Sequence, residues 1–264
     1  MALLKKSIVL ASSTLIVALA IIFYWQQQDT CQTSGPIMCV FAHGFRQNNG
    51  RAALYEDILG IKLISFDFPD ATNTRETDLA QERDLEPLAQ TCCSTVNSPE
   101  CSNGFGLIGV SRGAAAVLVY ASKKPEGLRF VIAESPFDHI DNVKMNMLAR
   151  YNCDWLAPSV ADALFAQMFP HHKPDGLHPI DVIANIDPCV PVLLICSEAD
   201  IVVPHTSTIQ LYTKLKASRQ DRNNVHLIVF KTGTHARLVH EMKEEYTQAI
   251  TDFLNAHGLR LLGR

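Results

Sequence analysis

The sequence predicts an α/β fold: a mostly parallel six-stranded sheet, helices on both faces, and a helical insertion before the fifth strand. Three observations carry this. Six short runs rich in Val, Ile, Leu and Phe recur along the chain, and helical stretches separate them. The length, 264 residues with 47% hydrophobic side chains, suits one large core rather than a disordered chain. The formal net charge of −4 argues against the basic surface that nucleic acid requires, so no nucleic-acid partner is expected.

Ahead of the sheet, Lys5 and Lys6 precede an uncharged run. Its apolar heart, residues 8–25, is interrupted only by Ser12, Ser13 and Thr14. At about 1.5 Å per residue this run reaches roughly 27 Å, close to a bilayer core. One N-terminal transmembrane helix is the expectation, with Phe23, Tyr24 and Trp25 as an interfacial belt. The two lysines place the N-terminus in the cytoplasm and the following domain on the extracytoplasmic side of a single-pass membrane protein. The alternative is a cleaved signal ending near Ala18-Leu19-Ala20, which gives a secreted or periplasmic protein. The chain thus divides into an anchor or signal segment, 1–29, and one domain, 30–264, with 138–188 inserted as a cap.

Within the domain, strands are expected at 37–42, 61–66, 105–110, 130–133, 190–196 and 225–230. They are continuous apolar runs, as strands covered on both faces must be. Helices are expected at 51–59, 77–90, 112–122, 206–217 and 238–257. In 77–90, Leu79, Leu85 and Leu88 supply the apolar side and the charged residues face water. Residues 138–188 hold five prolines and no clear strand, the composition of a helical cap or lid.

There are eight cysteines. Export would favour disulfides, and Cys92, Cys93 and Cys101 cluster where at least one bridge is expected. Cys39 and Cys196 sit in apolar runs and read as buried thiols. No C-x-x-C spacing appears and no metal is expected; His171, His172 and His178 lack ligand spacing and read as a solvated loop.

The chemistry concentrates at strand ends. Gly109-Val110-Ser111-Arg112-Gly113 is a G-x-S-x-G entered by a buried strand and left by an Ala-rich helix. That context puts a serine on a sharp turn, with its Oγ exposed above the sheet and a helix N-terminus facing any developing oxyanion. Such a serine needs a base and a group to orient it. Asp200 follows the fifth strand and His235 the sixth, in the chain order this motif uses. Glu134 and, more remotely, Asp67 compete with Asp200; His205, His226 and His240 compete with His235. The backbone N–H groups of Phe45, in His43-Gly44-Phe45 after the first strand, and of Arg112 are the candidate oxyanion donors. The Arg112 side chain either points outward from the helix start or meets an acidic substrate group.

On these residues the chain resembles the α/β-hydrolase superfamily. The matching pieces are His43-Gly44-Phe45, the Gly109–Gly113 motif, the 191–204 segment with Asp200, and Gly233-Thr234-His235. The resemblance covers about residues 37–257 and is nearest the serine-peptidase, dienelactone-hydrolase and carboxylesterase branches. It implies a serine hydrolase that cleaves an ester, thioester or amide through an acyl-enzyme, without a cofactor. A carboxylesterase-like activity on a small-molecule acyl substrate comes first. A serine exopeptidase acting on short peptides, or a non-catalytic binding protein on the same fold, are the alternatives. Two departures stand out: the family's two strands before the His-Gly strand have no room after Trp25, and Cys196-Ser197 replaces a common His-Gly. Phe137, Trp155, Phe165, Met168 and Phe169 either line an acyl pocket or form the core of the cap.

Overall fold

The computed structural model describes residues 35–263. The expected membrane span, its cleaved alternative and the 1–29 boundary lie outside the described residues. Among the described residues, no helix is long and apolar enough to cross a membrane.

The strands are β1 (Met38–Ala42), β2 (Leu63–Ser65), β3 (Phe105–Val110), β4 (Leu128–Glu134), β5 (Val192–Ser197) and β6 (Val225–Phe230). They form one six-stranded sheet in the order β2-β1-β3-β4-β5-β6, and every pair is parallel. The period of two sorts side chains cleanly. Met38, Val40 and Ala42 of β1 enter one core, and Cys39 and Phe41 enter the other.

The first core is closed by α2 (Glu82–Val96), α3 (Arg112–Ala121) and α7 (His205–Ala217), through Leu85, Leu88, Val117 and Leu211. The second is closed by α1 (Ala52–Leu59), α8 (Leu238–Glu241) and α9 (Lys243–Ala256), through Tyr55, Leu238, Tyr246 and Phe253. Between β4 and β5 the chain forms α4 (Ile140–Arg150), α5 (Pro158–Met168) and α6 (Pro179–Val182), the expected helical insertion. Sequence order reverses direction across the sheet between β1 and β3. In such sheets, the crevice beyond the strand C-termini at that point is where ligands bind.

Three expectations are corrected. The helix at 77–90 starts later, at Glu82, because Thr77–Gln81 forms a buried turn with Leu79 and Ala80 in the left-handed region. Asp84 accepts from the Thr77 hydroxyl at 2.7 Å and the Ala80 N–H at 2.9 Å, which competes with helix there. The helix also runs on through Cys92 and Cys93, and no bridge forms among Cys92, Cys93 and Cys101. Consecutive helical residues point about 100° apart. Accordingly, Cys92 faces the core and Cys93 faces water. Burial pushes the Cys92 thiol up to about 12. Cys39 and Cys196 are buried as expected. Finally, the last helix breaks at Met242, whose φ of −122° and ψ of 41° separate α8 from α9.

Candidate active site

Ser111 stands between β3 and α3 with φ 56° and ψ −119°. For a residue with a side chain this conformation is strained, and it holds only where the surroundings fix it. Two contacts do so. The Ser111 N–H donates to the Glu134 carbonyl at 2.8 Å, which continues the β3–β4 ladder one residue past Val110. Gly113 lets the start of α3 press on β1: a Cβ there would lie 2.0 Å from the Ala42 carbonyl oxygen.

Asp200 is carried by the turn after β5. Its Oδ1 accepts the N–H groups of Val202 at 2.9 Å and Val203 at 3.0 Å, so Oδ2 has a fixed direction. His235 lies on the loop after β6. Thr234 donates from its N–H and its hydroxyl to the two carboxylate oxygens of Glu241, and Arg51 donates to the Ala236 carbonyl at 2.7 Å. The three side chains meet in one chain of hydrogen bonds. His235 Nδ1 donates to Asp200 Oδ2 at 2.7 Å, and the Ser111 hydroxyl donates to His235 Nε2 at 2.7 Å. An ionised carboxylate only accepts, so Nδ1 carries the proton and Nε2 is left to accept. All three residues stand at the mouths of strands, as the sequence order required.

The competing residues are elsewhere. Glu134 is fully buried and does not bond His235. Its Oε2 accepts from the Tyr55 hydroxyl at 2.8 Å and the Tyr246 hydroxyl at 3.0 Å, and burial pushes its carboxyl up. Asp67 is exposed and accepts the Asn49 N–H. His226 of β6 is paired with His257 at 2.8 Å, His205 begins α7, and His240 is exposed on α8.

Phe45 and Arg112, the expected oxyanion donors, both border the cavity that Ser111 opens into. The Phe45 loop is in contact range: a Cβ on Gly44 would lie 3.5 Å from the Ser111 Cβ. Arg112 begins α3, so its N–H is one of the helix's unpaired N-terminal donors. Its side chain corrects both expectations for it. It does not point outward; it turns inward, 1% exposed, with Nη1 on Asp70 and 3.5 Å from Asp84, so its charge is met by carboxylates of this chain rather than by a substrate group. Sequence reading missed Asp70 and Asp84, whose charge marks them as surface residues until a buried cation is placed beside them.

The cavity beside Ser111 is about 460 Å³. Its walls are apolar, drawn from the cap and the loop after β5; Phe137, Phe165, Met168 and Phe169 line it, with Lys144 and Arg112 the charged residues at its margin. Trp155 does not line it and is 78% exposed. The histidine expectation is also corrected: His178 is buried, and its ring stacks on His139 at 3.6 Å, because Pro179 and Asp181 fold it back as a helix cap. Among the described residues, no three His, Cys, Asp or Glu side chains are placed to hold a metal ion.

A parallel sheet in this order, with a serine on a strained strand-to-helix elbow at its switch point, defines an α/β-hydrolase. The sequence profile of the prolyl oligopeptidase family matches residues 101–258, more than half of the chain. The chain belongs to that family of hydrolases, within the α/β-hydrolase superfamily. It is 29% identical over 160 residues to the uncharacterized protein YqkD of Bacillus subtilis, covering 58% of this chain and 50% of that one. The chain therefore spans about half the length of this curated relative. Among solved structures, the Pyrococcus furiosus esterase Pf2001 superposes with a TM-score of 0.65 at 19% identity, covering 84% of this chain and 82% of that one. The acylaminoacyl peptidase of Pyrococcus horikoshii superposes with a TM-score of 0.60 at 14% identity, covering 83% of this chain and 37% of that one. At these identities the superpositions establish a shared fold.

Proposed function

We propose that this protein is a serine hydrolase that cleaves acyl esters through an acyl-enzyme. The observation that carries the reading is the hydrogen-bonded chain Ser111–His235–Asp200 opening on an apolar cavity. Ser111 Oγ attacks the ester carbonyl carbon while His235 Nε2 takes its proton. The carbonyl oxygen becomes an oxyanion and receives the N–H groups of Phe45 and Arg112. His235 then protonates the leaving alcohol, and the C–O bond to it breaks. Water, deprotonated by His235, releases the acid from Ser111. Asp200 holds the imidazole in the Nδ1–H tautomer and stabilises the imidazolium. This chemistry calls for no cofactor.

The cavity supports an acyl chain as the occupant. Its lining is apolar and includes no carboxylate, whereas a peptide α-ammonium would need a counter-charge to be held out of water. Membership of a family named for a peptidase favours the second reading, a serine exopeptidase on short peptides. The proposal includes attachment to a membrane through residues 8–25, carried by their apolar run, with the domain on the extracytoplasmic side. Retention in the membrane fraction after an alkaline carbonate wash is the expected result, and full release would reject it.

The activity is tested by fluorophosphonate labelling of wild type, Ser111→Ala and His235→Ala, followed by p-nitrophenyl esters of graded chain length and aminoacyl amides. Labelling of wild type alone, with medium-chain esters turned over faster than acetate or amides, is expected. Faster amide turnover would put the exopeptidase first. A folded wild type that takes no label would leave a binding protein on a hydrolase fold.

A further inference from the structure

We propose that the Arg112 side chain, with Asp70, is the positioning element of the oxyanion hole, fixing the peptide that presents the Phe45 N–H. The inference rests on the reading of Ser111 as nucleophile and of Phe45 and Arg112 as oxyanion donors, and says what aims one of those donors.

Arg112 Nη2 donates to the Gly44 carbonyl at 3.1 Å. His43 Nδ1 donates to the same oxygen at 2.9 Å. The buried His43 ring is held neutral, because desolvation pushes it below its ordinary value, and its Nε2 accepts the Phe68 N–H at 3.4 Å. The Gly44 carbonyl and the Phe45 N–H belong to one peptide unit. In a planar trans peptide they point in opposite directions. Two donors that fasten the carbonyl toward the interior therefore turn the Phe45 N–H the other way, toward the side on which Ser111 stands.

Asp70 fastens the next peptide. One of its oxygens takes Arg112 Nη1, and the other accepts the Arg46 N–H at 3.3 Å. Arg46 has φ 59°, a left-handed conformation that an unsupported arginine rarely keeps. The Arg112–Asp70 pair thus holds the chain on both sides of Phe45. The rest of the guanidinium is enclosed: Asp84 lies 3.5 Å from Nη1, and the Phe68 ring lies 3.9 Å from Cζ.

A buried ion pair contributes little to stability by itself, since apolar residues of similar volume often do as well. An apolar side chain at 112 could fill the space but could not donate to Gly44. Position 112 also supplies the other oxyanion donor from its own backbone. One residue therefore couples the two halves of the hole, and the distance between the donors is set by a side chain bonded to the helix that carries Ser111.

The test compares wild type, Arg112→Met, Arg112→Lys and Asp70→Asn. It reads kcat and KM on one ester, affinity for an alkylboronic acid that forms a tetrahedral adduct with the serine, and affinity for the product carboxylic acid. Arg112→Met and Asp70→Asn should lower kcat about 10- to 100-fold with KM within about threefold, as loss of oxyanion stabilisation does. Boronic acid affinity should fall by the same factor and product affinity should hold. Arg112→Lys, which keeps the charge and one donor, should fall between. Asp70→Asn preserves shape and supplies the answer if Arg112→Met does not fold. Unchanged kcat in the folded variants overturns the proposal, as does product affinity that falls in step with boronate affinity. Failure of the underlying reading shows separately, as a wild type that no fluorophosphonate labels at Ser111.

Discussion

Glu134 ends β4 and Asp200 stands in the turn after β5, both beside the site, and their surroundings tell them apart. Asp200 accepts two backbone N–H groups and the imidazole N–H. Glu134 is buried under two tyrosine hydroxyls, and desolvation raises its value. On the proposed mechanism, Asp200→Asn should lower kcat by about 10³- to 10⁴-fold, because the wrong tautomer is then favoured. Glu134→Gln should stay within about threefold of wild type. Steady-state kinetics on one ester checks both, and the reverse ranking would move the orienting role to Glu134. The elbow offers a second check at this scale. Ser111→Gly removes a strained side-chain-bearing residue from φ 56°, so it should raise stability by about 1 kcal/mol while it abolishes turnover. Thermal melts of Ser111→Gly beside Ser111→Ala read this, and equal melting temperatures would refute it.

At the scale of elements, the site depends on how closely α3 approaches the sheet and on which residues the cap turns inward. Gly113 faces the Ala42 carbonyl and leaves no room for a methyl group. Backbone must shift to admit one, so Gly113→Ala should cost about 3 kcal/mol, the upper part of the usual range for overpacking. Chemical denaturation measures it, and a loss under about 0.5 kcal/mol would show that α3 can slide. In the cap, Ala161 is buried on α5 and borders the cavity. Ala161→Phe should fill that space and cut the preference for medium-chain over acetyl esters about tenfold. An unchanged ester series would place the acyl chain elsewhere.

For the whole molecule, stability is linked to pH through buried histidines, of which His43 is the most enclosed. Folding lowers its value below the ordinary 6.5, chiefly by desolvation. The unfolded chain then takes up a proton first as pH falls. The stabilisation is present above 6.5 and is lost as pH drops through 6.5 toward the lower folded value. His43→Gln does not titrate there. The melting temperature of wild type should therefore fall relative to His43→Gln between about pH 7.5 and about pH 5.5. A difference that stays constant over this interval would mean that His43 does not titrate on unfolding.

The sequence by itself determined the sheet, the insertion and the neighbours of Ser111. Continuous apolar runs are what strands covered on both faces require. The order Ser111, Asp200, His235 follows from the strand that each residue comes after. What it could not settle was where buried charges and neighbouring side chains go. The late start of α2 is not legible because Asp78 in the turn and Asp84 in the first turn of the helix, charged residues that a helical pattern assigns to water, are buried and accept the N–H groups of Gln81 and Ala80. Cys92 and Cys93 were misread because a helix turns adjacent residues apart. The inward course of Arg112 is invisible in the sequence for a different reason: its partners Gly44, Asp70 and Asp84 are distant in sequence and meet it only after β1 and β3 pair. Periodicity reports which face of an element is apolar. The destination of a buried charge depends on the counter-charge that the fold brings to it, and that only the tertiary structure decided.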